Sequence, residues 1–75
     1  MKKILPQKAQ LTPREVECLE WAAQGKSSGE IATILNLTER GVNYHFESAK
    51  EKLDATNRTQ AVAIAVSRGI VELSE

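Results

Sequence analysis

Apolar side chains recur at three- and four-residue steps along most of this chain, which predicts helices. Val16, Leu19, Ala22 and Ala23 share one side of a first segment, with Trp21 at its edge. Ile31, Ile34 and Leu35 repeat the pattern in a second. Val42, Phe46, Ala49 and Leu53 follow at spacings of four, three and four, so they fall on one stripe. A fourth segment, Ala61 to Val66, is apolar all round. A helix on the outside of a small domain is not expected to be. Either its small alanines are simply tolerated at the surface, or its second face meets another subunit.

Polar residues punctuate these segments. Thr12 is an N-cap and Pro13 suits the first helical position. Glu15 stands where it completes a capping box, and Leu11 and Val16 can form a hydrophobic staple. Gly25 ends the segment with a left-handed cap. Ser27 and Glu30 have capping-box spacing, and Leu37 plugs the next turn into the core. Thr38 caps the third segment. Asn57 caps the fourth, with Gln60 in the capping-box position, and Gly69 stops it with Ile70 placed to pack back. The expected fold is all-α, with helices over 13–24, 28–36, 39–54 and 58–68 in one domain spanning 11–75. Residues 1–10 lack periodicity and read as a flexible arm or linker remnant, fitting an excised fragment or a stand-alone protein alike.

The second and third helices are joined by a short turn. That is the layout of a helix-turn-helix, whose second helix can enter the major groove of DNA. The side chains opposite the apolar stripe would then face the bases: Arg40, Asn43, Tyr44, Glu47 and Ser48. Asn pairs with adenine, Arg with guanine, and Glu accepts from the cytosine amino group. The bland alternative is a solvated helix face. Phosphates are held by basic side chains, hydroxyls and helix N-termini. Lys26, Ser27, Ser28, Thr38, Lys50, Lys52 and Arg58 supply such a rim, with capping the first role of Ser27 and Thr38. His45 lies at the edge of the stripe, as a packed histidine or a phosphate contact. Trp21 reads as core rather than as a base-stacking platform.

Charge tempers this picture. The 75 residues carry no net charge, whereas a DNA-binding domain tends to be basic. Lys2, Lys3 and Lys8 lie in the first ten residues, so the remainder is mildly acidic. A protein-interaction module of the same fold is therefore the rival reading. One cysteine, Cys18, excludes an intrachain disulfide, and with a single histidine no metal site is expected. No nucleophile and base can be paired, so neither an enzyme nor a cofactor is expected. The lone cysteine is the usage of a cytoplasmic protein, and no stretch is apolar enough to span a membrane.

Several of these segments resemble the LuxR-type (GerE-like) DNA-binding domain. They are Leu11-Thr12-Pro13-Arg14-Glu15, Ala22-Ala23-Gln24-Gly25-Lys26-Ser27, Glu30-Ile31-Ala32, Thr38-Glu39-Arg40 and Val42-Asn43-Tyr44-His45. Lys52-Leu53, Asn57-Arg58-Thr59-Gln60-Ala61 and Gly69-Ile70 continue the likeness, which spans about residues 11–73. The segments around Lys26 and Tyr44 look most like the quorum-sensing branch, where a separate N-terminal domain binds an acyl-homoserine lactone. Response regulators carry the same output domain. The resemblance implies a transcription regulator whose third helix reads double-stranded DNA and whose fourth makes a homodimer contact. RNA polymerase is a candidate partner. By position, Asn43, Tyr44 and Glu47 match base-facing sites. Lys26, Thr38, His45, Lys50 and Lys52 match sites at or near the backbone. The fourth-helix contact is expected at Ala63, Val66, Ser67 and Ile70. Gly41 departs from the family, which usually has Thr or another side chain there, and Glu47 is acidic where many relatives are neutral or basic.

Overall fold

The computed structural model describes residues 10–72, which form four helices and no strand. They are α1 (Pro13–Ala23), α2 (Ser28–Leu35), α3 (Glu39–Leu53) and α4 (Arg58–Ser67). Apart from Gln10, the expected arm lies outside the described residues, as do the last three residues of the expected domain.

Each helix begins on a side-chain cap, because the first N–H groups of a helix have no partner within it. The Thr12 hydroxyl accepts from the Glu15 N–H at 3.1 Å, and the Glu15 carboxylate accepts from the Thr12 N–H at 2.8 Å. Ser27 and Glu30 form the same reciprocal box. Thr38 accepts from the Gly41 N–H at 2.9 Å, and Asn57 from the Gln60 N–H at 2.8 Å. Gln60 reaches back past its cap to the N–H of Thr56, so the fourth box is not the expected one.

Every helix ends one residue before the expected position. Gln24, Asn36, Asp54 and Arg68 still donate to helix carbonyls, but their own backbones have left the helix. All four ends close through the same long-range bond. The N–H groups of Lys26, Leu37, Ala55 and Ile70 reach the carbonyls of Trp21, Ala32, Lys50 and Ala65 at 3.1, 2.8, 2.8 and 2.9 Å. This arrangement needs one residue at positive φ just before the donor. Glycine supplies it at Gly25 (φ 91°) and Gly69 (φ 75°), as expected; at the other two ends Asn36 (φ 59°) and Asp54 (φ 58°) do so.

α3 lies at the centre and packs against α1, α2 and α4, while α1 also packs against α2 and α4. Its stripe of Val42, Phe46, Ala49 and Leu53 is buried, against Leu19, Ile31, Ala61 and Ala65. Cys18 and Val71 are buried with them, and burial pushes the Cys18 thiol pKa up. Trp21 and Val16 are half-buried against this core. Ile34 follows the helical period yet is 44% exposed, because the eight-residue α2 inserts only Ile31 and Ala32 fully.

Candidate nucleic-acid interface

The turn between α2 and α3 holds the third helix with one long face outward. Leu37 is half-buried against the core, and Thr38 caps the next helix at once. Arg40, Asn43, Tyr44 and Glu47 lie on the exposed side of α3, with Tyr44 70% exposed. Ser48 is half-buried at the edge of this face, on the side of Glu15. The His45 ring is half-buried and stands edge-on to Tyr44, with centroids 5.8 Å apart.

The charges on this face are partly spoken for. The Lys50 ammonium lies 3.0 Å from the Glu47 carboxylate, one helical turn away. Arg40 is exposed and makes no ion pair among the described residues. Ser27 and Thr38 cap α2 and α3, and Lys26 is half-buried beside the first of them.

Three residues expected at the DNA backbone are tied into the protein instead of standing clear of it. Lys52 donates to both oxygens of Glu15, at 3.0 and 3.2 Å, and so clamps α3 to the start of α1. Glu15 is only 3% exposed. Burial alone pushes its carboxyl up, but the Ser48 hydroxyl, the Thr12 N–H and Lys52 beside it hold it below the usual carboxylate range. Ser28, also buried, donates to Asn43 Oδ1 at 2.7 Å. Arg58 donates to the Ser28 hydroxyl and to Asn43 Oδ1, the latter at 3.2 Å, with its guanidinium 3.8 Å over the Phe46 ring. The network joins the first residues of α2 and α4 to the exposed face of α3. The sequence spacings, 15 and 30 residues, gave no sign of it.

On the outside of α4, Val62, Ala63, Val66 and Ser67 face Ala22 and Ala23 of α1 across an open groove of about 660 Å³. Ile70 does not line it; that side chain lies in a second groove with Trp21, Ile34 and Leu35, rimmed by Glu17, Glu20 and Glu72.

The sequence matches the model of the bacterial regulatory proteins of the luxR family over residues 9–65. The chain belongs to the LuxR family. VanR of Vibrio anguillarum, a transcriptional activator protein, is 56% identical to this LuxR-family chain over 64 residues, 85% of the chain. AhyR of Aeromonas hydrophila, also a transcriptional activator protein, is 58% identical over 66 residues. RpaR of Rhodopseudomonas palustris, a quorum sensing-dependent regulator, is 57% identical over 63. The chain spans only 27%, 25% and 26% of those three curated relatives. A solved structure of the transcription factor GerE superimposes with a TM-score of 0.81 at 28% identity, covering 85% of this chain and 96% of that one. The LuxR-family domain is thus an all-α transcription-regulator module related to quorum-sensing activators, and its family is one of regulators rather than enzymes.

Proposed function

We propose that this domain binds specific sites in double-stranded DNA, with α3 in the major groove. Two copies would occupy a two-fold site and meet through α4. The supporting observation is the capped turn that seats α3 on the core while leaving Arg40, Asn43, Tyr44 and Glu47 on one exposed face. These four read bases, with Ser48 at their edge. Lys26, Ser27, Thr38, His45 and Lys50 lie where phosphates would pass. Ser28, Lys52 and Arg58 flank the same surface and act first by holding it in shape. In the dimer, Ala63, Val66 and Ser67 share one apolar groove and Ile70 flanks it from another, which supports α4 as the meeting face.

The relatives support a place in quorum sensing. On that reading the module is the output end of a regulator whose other part senses an acyl-homoserine lactone. The word activator in the names of VanR and AhyR supports RNA polymerase as a further partner. Titration of labelled duplexes separates the roles. Lys26→Ala should weaken all sequences alike and flatten the salt dependence, whereas Tyr44→Ala should change the sequence preferred. Equal losses on every sequence for both variants would contradict the assignment.

A further inference from the structure

Asn43 is expected to pair with adenine, and the network around it forbids the usual way of doing so. A carboxamide recognises adenine by accepting from N6 through its oxygen and donating to N7 through its nitrogen. Here Oδ1 already accepts from Ser28 at 2.7 Å and from Arg58 at 3.2 Å. A carbonyl oxygen has two lone pairs, so both are engaged. The orientation of the amide follows from chemistry as well as from geometry. A guanidinium only donates, so the Asn43 atom beside Arg58 must be the oxygen. Arg58 is itself fixed from below by the Phe46 ring, 3.8 Å away. Asn43 is nonetheless exposed, and Nδ2 has no hydrogen-bond partner among the described residues.

We propose that Ser28 and Arg58 lock Asn43 so that it offers DNA only donors, and that it therefore selects a base edge made of acceptors. Guanine, with N7 and O6, and thymine, with O4, present such an edge. Cytosine presents only an amino donor, and adenine keeps a single acceptor, N7, beside an amino group that a donor-only Asn43 has nothing to accept. Ser28 and Arg58 are positioning residues, and Asn43 is the one that touches DNA. The proposal rests on α3 binding in the major groove.

The test begins with binding-site selection using the wild-type domain and Asn43→Ala. The base pair at which their preferences diverge is the one Asn43 reads. Every pair also holds an amino base, so the contacted base is found by deleting that amino group, with purine in place of adenine or 2-pyrimidinone in place of cytosine. Wild-type binding should not weaken, whereas a lost contact from Asn43 to the amino group would cost about fivefold, the worth of one hydrogen bond. Arg58→Met, alone or combined with Ser28→Ala, removes the group that can only donate and frees the amide to turn, so adenine should become acceptable in place of the selected guanine or thymine while the rest of the site stays the same. Either variant suffices if the other fails to fold, and a merely structural role would lower affinity without moving the base preference. If guanine is selected, replacing it with 7-deazaguanine in the wild-type complex should weaken binding. Three results would overturn the proposal: weaker wild-type binding when the amino group of that pair is deleted, no pair that depends on Asn43, or an unchanged preference in the folded release variants. Failure of the wild-type domain to select any DNA would instead sink the parent reading.

Discussion

Lys52 and Glu15 meet across 37 positions of sequence, and that distance is why only half of Glu15's role is visible in the sequence. Its capping bond to Thr12 is a three-residue contact and can be read directly. Its burial and its ion pair depend on how α3 crosses α1. Because the folded Glu15 carboxyl titrates below the unfolded one, its contribution to stability is complete above the unfolded value of about 4.3. That contribution is lost as pH falls through the lower folded value. Lys52→Met leaves a buried carboxylate without its cation, and Lys52 is partly exposed, so the cost should be about 2 kcal/mol. Urea unfolding at pH 7 and pH 3 should show that difference at pH 7 and a smaller one at pH 3; equal stability at pH 7 would count against the clamp. Glu47 is a different case, since its partner Lys50 is near in sequence and the pair lies on the surface. Glu47→Gln removes an anion from the DNA face and releases Lys50. Non-specific duplex binding should tighten, and the slope of log K against log salt should steepen by about 0.9. An unchanged slope would mean that Lys50 does not reach a phosphate.

Helix starts were easier to read than helix ends. Thr12, Ser27, Thr38 and Asn57 announce themselves because a cap is a bond between near neighbours. Gly25 and Gly69 mark two of the four C-terminal turns in the same local way. Asn36 and Asp54 do not, because neither residue type is confined to positive φ. At Asp54 the left-handed backbone is also paired with a negative charge at the C-terminal end of α3, against the helix dipole. Asp54→Gly removes both penalties, partly offset by glycine's greater freedom when unfolded. It should stabilise the fold by about 0.5–1 kcal/mol, seen as a higher melting temperature. No rise would mean that Asp54 makes a compensating contact. Gly41 shows the converse. It stands inside α3, and a side chain there would place its first carbon 3.2 Å from the Thr38 cap oxygen. That oxygen is the α3 cap and must shift to make room, so Gly41→Ala trades part of the cap bond against the roughly 1 kcal/mol that separates the two residues in a helix, and the melting temperature should change little.

At the scale of the molecule, the order of four helices follows from apolar periodicity and the caps between the segments, whereas the packing of α3 against the other three is a property of the assembled fold. So is the Ser28–Asn43–Arg58 network, since it gathers three elements that only the assembled fold brings together. The uniform apolar character of α4 is explained on one side by Ala61 and Ala65 in the core, and on the other by the groove that Ala63 and Val66 line. Ala63 is exposed, so Ala63→Glu should leave folding within about 0.5 kcal/mol of wild type. It should abolish cooperative occupation of two half-sites while single half-sites are still bound, as read by analytical ultracentrifugation with each DNA. Undiminished cooperativity would move the dimer contact elsewhere. The near-neutral charge sharpens the larger question, because under the proposed function affinity would come from local contacts and pairing rather than from a basic surface. Binding-site selection on randomised duplex DNA, followed by titration of the winner against a scrambled sequence over a range of salt, tests this most directly. A two-fold sequence should be bound at least about 1,000-fold more tightly than the scrambled one, with affinity falling steeply as salt rises. A folded domain that enriches no sequence, and binds both duplexes equally at every salt concentration, would contradict the proposed function.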